Sequence, residues 1–98
     1  MLVNVIKSYR IVVAVWDEEL LGKKFESETA QLDVKESFYK GEEKSFEETI
    51  ELMKSLSRED ATFNIVGEKS VAAAIESGII GKENVDSVAG IPYVLILI

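Results

Sequence analysis

The stretch Ile11-Val12-Val13-Ala14-Val15-Trp16 is apolar at every position and consists largely of β-branched residues. Such a run is typical of a β-strand. Because successive side chains of a strand point to opposite faces of a sheet, both faces of this strand are apolar. We therefore predict a central strand with cover on both sides, or one whose cover is completed by a partner chain.

The neighbouring segments extend the predicted sheet. Leu2–Lys7 is rich in β-branched residues and precedes the segment Arg10–Trp16 by about two residues, which predicts a hairpin linked through Ser8 and Tyr9. Lys23–Glu28 and Ala30–Val34 are predicted to form two further short strands. The turn type of the hairpin stays open, because its link lacks an Asn-Gly or Asp-Gly pair.

Two connecting segments carry turn signals. Asp17–Gly22 is predicted to be a single helical turn, which Asp17 caps and Gly22 ends in a left-handed conformation. Lys35–Gly41 is predicted to be a turn or 3₁₀ segment that packs Phe38 and Tyr39.

The segment Ser45-Phe46-Glu47-Glu48 has the pattern of a capping box, in which a serine precedes a glutamate by three positions. Apolar residues follow at helical spacing, so we predict a helix over 45–57. A second helix is predicted over 65–77, with Asn64 or a neighbour at its N-cap and Gly78 beyond its end.

The C-terminal part of the chain predicts a strand over Val85–Ala89, a turn or bulge at Gly90-Ile91-Pro92, and a final strand over Tyr93–Ile98. The stretch Val94–Ile98 is apolar on both faces, and an exposed edge of that kind would aggregate. We therefore expect this strand inside the sheet or at a subunit interface.

These elements predict a single α+β domain over residues 1–98. Its sheet is mainly antiparallel or mixed, has five to six short strands, and carries two helices packed on one face. The second face of the central strands is also apolar, so it requires cover from the loops of residues 17–44 or from a second subunit, as in a homodimer.

The composition restricts the chemistry that is open to this chain. It contains neither cysteine nor histidine, which excludes disulfides, thiolate metal sites and an imidazole base. We expect no metal, no cofactor and no catalytic residue. Only one glutamine and three asparagines occur in 98 residues rich in glutamate and lysine, which indicates a heat-tolerant protein.

The hydrophobic segments are too short to span a membrane. The longest apolar runs, Ile11–Trp16 and Ile91–Ile98, fall well below the ~20 residues of a spanning helix. The apolar start Met1–Ile6 is interrupted by Asn4 and does not resemble a signal peptide. We expect a cytoplasmic protein.

Charge is unevenly distributed. Eighteen acids against eleven bases give a net charge of −7, which repels nucleic acid overall. Lys7, Arg10, Lys23 and Lys24 lie in the one region that acids do not dominate. A role in RNA binding requires that these four cations form one contiguous positive surface.

Four motifs occur along the chain in a fixed order: Asp17-Glu18-Glu19-Leu20-Leu21-Gly22-Lys23, Phe38-Tyr39-Lys40-Gly41-Glu42, Asn64-Ile65-Val66-Gly67-Glu68 and Gly90-Ile91-Pro92. In this order they resemble the archaeal family labelled "domain of unknown function 424", over nearly the whole chain. The resemblance implies a small archaeal cytoplasmic protein and no established activity.

The last motif departs from the pattern of that family, which usually reads Gly-Gly-(Val/Ile)-Pro-His. Here Ala89 stands at the first glycine and Tyr93 at the histidine. If the histidine has a function in relatives, this chain has lost or replaced it.

Several residues are binding candidates, each with a structural alternative that we favour. Asn64 and Gly67 at a helix start would suit an anion, but a capped helix packed on the sheet explains them as well. Tyr39 would stack on a base or ring, or it covers the core edge beside Phe38. Tyr93 would face a ligand behind the rigid Pro92, or it begins a strand.

Three hypotheses for function follow. The first is a non-catalytic binding or accessory module with a protein or RNA partner. The second is a small enzyme or ligand-binding protein with a site near Asp17, Lys23, Asn64, Gly67 and Tyr93, which requires a concave pocket. The third is an assembly protein that uses its apolar C-terminal strand as the interface.

Overall fold

The structure is a computed structural model that describes residues 1–7, 9–26, 31–33 and 41–96. Its strands are β1 (Leu2–Lys7), β2 (Ile11–Trp16), β3 (Lys24–Glu26), β4 (Gln31–Asp33), β5 (Glu42–Glu43), β6 (Thr62–Val66), β7 (Asp86–Val88) and β8 (Ile91–Ile96). Its α-helices are α1 (Phe46–Ser57) and α2 (Glu68–Ser77), and short 3₁₀ helices span Glu18–Leu20 and Lys82–Asn84.

Six of these strands form one mixed sheet in the order β5-β1-β2-β6-β8-β7, and β3 pairs with β4 in a separate antiparallel hairpin. Within the six-stranded sheet, β2 and β6 run parallel and the other neighbours run antiparallel. The predicted α+β fold, with a mixed sheet and two helices, is confirmed.

Strand β2 lies at the centre of this sheet, as its sequence predicts. Val13 and Val15 face the helices, and both are completely buried. Ala14 and Trp16 point to the opposite face and are at most 1% exposed. A strand with two apolar faces therefore has cover on both of them.

Both helices pack on one face of the sheet, which agrees with the prediction. Met53 and Leu56 of α1 and Ala73 and Ala74 of α2 enter one buried cluster with the valines of β2. The two alanines are completely buried. Their small side chains allow α2 to approach the sheet closely, because no bulky group separates the two backbones.

Helix α1 is defined by local signals at both ends. Ser45 Oγ accepts a hydrogen bond from the Glu48 N–H at 3.1 Å, and the Ser45 N–H donates to Glu48 Oε1 at 3.0 Å. The bond from the Ser45 backbone holds the pKa of the Glu48 carboxyl below its usual range. Beyond the other end, the Ala61 N–H donates to the Leu56 carbonyl while Asp60 adopts φ 56°, a Schellman-type ending.

The second helix begins later than predicted, and the strand before it was missed. Thr62–Val66 forms β6, and α2 starts at Glu68. Phe63 and Ile65 are buried against the helices while Asn64 points to the other face, so the segment follows the period of a strand. The prediction that Asn64 caps the helix is therefore wrong, and Gly67 occupies the N-cap position.

The C-terminal strand lies inside the sheet, between β6 and β7, as expected of an apolar strand. It begins at Ile91, so Ile91 and Pro92 belong to β8 rather than to a turn. Residues 35–40 of the turn predicted over Lys35–Gly41, the hairpin residue Ser8 and the last two residues lie outside the described residues.

The turn between β7 and β8 consists of Ala89 and Gly90, with φ angles of 51° and 79°. Two successive positive φ angles are typical of a type I′ hairpin, in which asparagine or glycine is preferred at the first position. Alanine at position 89 therefore adopts a conformation that its Cβ disfavours.

We predict that Ala89→Asn stabilises the protein by about 0.5–1 kcal/mol, because asparagine tolerates the left-handed conformation better than alanine. The free energy of unfolding, measured in urea, provides the test. Ala72→Asn is the matched control, because Ala72 is an exposed residue within α2. There the same exchange should destabilise by about 0.5 kcal/mol through lower helix propensity. Equal effects at both positions would contradict the assignment of the turn.

Candidate functional site

Asp17 lies where the two parallel strands of the sheet end side by side. It follows β2 directly, and its N–H donates to the Val66 carbonyl of β6 at 3.0 Å. One residue after Val66, Gly67 opens α2. Asp17 is only 4% exposed and therefore lies buried beside the first turn of this helix.

The Asp17 carboxylate binds the N-terminus of α2 with both oxygens. Oδ2 accepts the Lys69 N–H at 3.0 Å, and Oδ1 accepts both the N–H and the hydroxyl of Ser70, each at 2.8 Å. Ser70 is completely buried. Free N–H groups and the helix dipole make this position favourable for a negative charge.

Gly67 makes room for this carboxylate. It adopts φ 107°, and a Cβ at this position would lie 2.4 Å from Cγ of Asp17. Its N–H donates to the Pro92 carbonyl of β8 at 2.8 Å. Because the N-cap residue has no side chain of its own, Asp17 supplies the cap from the neighbouring strand.

This geometry decides between the two interpretations of the segment around Gly67. A helix N-terminus is a ready site for an external anion. Here the carboxylate of the chain itself occupies that site. The prediction that Asp17 caps its own helical turn is wrong, because the turn at Glu18–Leu20 has no side-chain cap and the carboxylate points to α2 instead.

The other members of the predicted polar site lie elsewhere. Asn64 and Tyr93 are half-buried and point to the face of the sheet away from the helices. Tyr93 packs there against the cluster of Trp16 and Leu20. Lys23 is exposed beyond the 3₁₀ turn. Of the five predicted residues, Asp17 and Gly67 are thus in direct contact. The other three lie in different parts of the structure.

The four candidate cations separate into two groups. Lys7 pairs with Ile11 at the start of β2, and Arg10 lies directly before that strand. Lys23 and Lys24 follow its other end, and a strand of this length separates the groups by roughly 20 Å. Arg10 lines a groove together with Glu59 and Asp60. Tyr39 lies outside the described residues.

Among the described residues, the face of the sheet opposite the helices is covered only in part. Trp16 and Val66 are buried there, with Leu20 and Leu21 of the 3₁₀ turn packed on this side. This covers one end of the face with residues from the predicted 17–44 region. Further along the strands, cross-strand pairing places Ile6, Val12 and Thr62 in one row, and Leu95, the direct partner of Asn64, lies diagonally from Thr62. We call these four residues the open stripe.

Two members of the open stripe are notably exposed. Leu95 is 54% exposed and Ile6 is 36% exposed, while Val12 and Thr62 are half-buried. Sequence reasoning did not single out this stripe. Apolar residues at both parities of β1 and β8 are the available signal, and this pattern does not reveal which residues remain uncovered.

Two absences hold for the described part of the chain. No helix in it is long and apolar enough to cross a membrane. Among the same residues, no group of three or more acidic side chains is arranged to hold a metal ion.

We predict that Gly67→Ala destabilises the protein by more than 2 kcal/mol, because the added methyl group would overlap the Asp17 side chain and require an unfavourable φ. Gly78→Ala is the matched control. Gly78 also has a positive φ, 83°, but a Cβ there would meet nothing within 4 Å. The Gly78→Ala exchange should therefore lower the free energy of unfolding only by the cost of a positive φ for alanine, about 1 kcal/mol. Chemical denaturation of both variants measures the difference, and equal losses would contradict the close approach of Asp17.

The comparisons with known proteins concern the fold and the family of the chain. No protein of curated function matches the chain. A crystal structure of an uncharacterized conserved protein from Methanopyrus kandleri is similar, with a TM-score of 0.87, 22% sequence identity, and coverage of 97% of this chain and 88% of that chain. At this identity the likeness shows the fold alone. Residues 6–98 match the family model described as a protein of unknown function, DUF424. The chain therefore belongs to the DUF424 family.

Proposed function

We propose that this protein is a non-catalytic binding module of the archaeal cytoplasm that holds a protein partner on the open stripe. The observation that carries the proposal is the exposure of Leu95, 54%, on the face of β8 that points away from the helices. Apolar side chains exposed together on a sheet face are typical of interaction sites.

The open stripe offers a partner a flat contact of three apolar side chains and one threonine. Ile6, Val12 and Thr62 occupy one row across three adjacent strands, and Leu95 adds a fourth strand. Strand β8 pairs with β7 over Ile91–Tyr93 and with β6 over Tyr93–Ile96. Leu95 points to the face of the sheet away from the helices, so we propose contact through this face. The hypothesis of an interface on the apolar C-terminal strand thereby takes the form of a contact through the sheet face.

The charge of the chain favours a protein partner of another kind over a second copy or RNA. Two copies with a net charge of −7 repel each other. An RNA partner requires a contiguous positive surface. Lys7 and Arg10 lie at the opposite end of β2 from Lys23 and Lys24, and Glu59 and Asp60 share a groove with Arg10.

The arrangement of Asp17 supports a binding role over an enzymatic one. Its carboxylate accepts three hydrogen bonds from Lys69 and Ser70. A general base needs a free lone pair that can reach a substrate proton. Asp17 instead points into the protein, where it stabilises α2.

A photo-crosslinking amino acid placed at position 95 tests the proposal in native cell lysate. We expect one discrete protein adduct, because the side chain at this position faces the partner. The adduct should disappear when an excess of unmodified protein competes. An Ile6→Asp substitution in the same chain should reduce it at least fivefold, since a buried unpaired charge costs several kcal/mol at an apolar interface.

The matched control carries the crosslinker at position 76, on the exposed Glu76 of α2, and should give no such adduct. Several outcomes would contradict the proposal. These are equal labelling from positions 95 and 76, an adduct that nuclease treatment destroys, and a self-adduct of the purified protein, which would indicate a homodimer.

A further inference from the structure

A groove of about 530 Å³ lies where the C-terminal ends of α1 and α2 meet the sheet. Its apolar floor comes from three elements: Phe63 of β6, Ile96 of β8, and Ile79 just after α2. We call it the helix-end groove. Its volume is within the range of small-molecule sites, which is about 300–1,000 Å³.

Two cations lie on the rim of the helix-end groove, and no carboxylate occurs among the described residues that line it. Arg58 is exposed, and within the described part of the chain it forms no ion pair. Lys54 approaches Glu51 at 3.9 Å, but both side chains are largely in solvent, so this contact is weak. The rim of the helix-end groove is therefore locally positive on a protein of net charge −7.

The hydroxyl groups in the groove do not compete for an anion. Ser57 Oγ donates to the Lys54 carbonyl at 3.0 Å, and Ser77 Oγ donates to the Ala74 carbonyl at 2.7 Å. Both serine hydroxyl groups therefore donate their hydrogen bonds within the helices. Only Lys54 and Arg58 retain side-chain donors for a negatively charged ligand.

We propose that the helix-end groove binds a small organic anion with an apolar body. Arg58 and Lys54 hold the anionic group, because a guanidinium donates paired hydrogen bonds to an oxyanion. The apolar body rests on Phe63, Ile79 and Ile96. This site lies on the helix side of the sheet, so it is separate from the open stripe and does not depend on the function proposed for that stripe.

A pair of fluorescent probes tests this assignment. 8-Anilinonaphthalene-1-sulfonate carries an anionic group on an apolar body, and N-phenyl-1-naphthylamine has the same rings without the charge. We expect the sulfonate to bind at least tenfold more tightly. Arg58→Gln should weaken its binding about tenfold and leave the neutral probe within a factor of two, because only the charged hydrogen bonds are lost.

Two further variants locate the site. Ile79→Gln should weaken both probes by removing part of the apolar floor. Lys69→Gln is the matched control, because it removes one positive charge from an exposed residue at the opposite end of α2. It should leave both affinities unchanged. Circular dichroism and the melting temperature verify that every variant stays folded.

Competition by 1-naphthaleneacetate and by 1-naphthyl phosphate distinguishes a carboxylate ligand from a phosphate ligand. Displacement of the bound sulfonate probe by either compound supports the site. Three results would overturn it. These are equal affinity for the charged and the neutral probe, no effect of Arg58→Gln, and an equal effect of Lys69→Gln.

Discussion

The carboxylate of Asp17 connects the two halves of this fold. It sits at the end of β2 and caps α2, which belongs to a segment more than fifty positions later in the chain. The same contact requires glycine at position 67, since any Cβ there would overlap the carboxylate. Strand β2, strand β6 and helix α2 are thereby held in one arrangement, and an anion site that a helix N-terminus would offer is filled from within.

The parts of the fold that sequence could predict are those encoded by neighbouring residues. The capping box of Ser45 and Glu48 spans three positions, so its pattern alone located α1. The uninterrupted apolar run of β2 likewise predicts a central strand. Residues 65 and 66 were assigned to a helix, because the local apolar pattern does not separate a short buried strand from a helix start. Only the pairing of β6 with β2 and β8 decides this.

The candidate site was less predictable than the fold, for a physical reason. Asp17 and Gly67 were both identified as candidates, yet their contact depends on two parallel strands meeting at one edge of the sheet. Exposure of Leu95 and Ile6 depends equally on what the rest of the chain covers. Asp17 and Ser70 are buried, whereas Leu95 and Ile6 are exposed. This arrangement supports the proposed binding surface rather than a reaction centre.

A double-mutant cycle of Asp17→Ala and Ser70→Ala, followed by urea denaturation, tests the central role of this carboxylate most directly. We predict a loss of about 3 kcal/mol for Asp17→Ala, because three hydrogen bonds and the helix cap disappear together. Ser70→Ala alone should cost about 1 kcal/mol, and the double variant should lose less than the sum by at least about 1 kcal/mol. A loss below about 0.5 kcal/mol for Asp17→Ala, with additive effects in the double variant, would contradict the account.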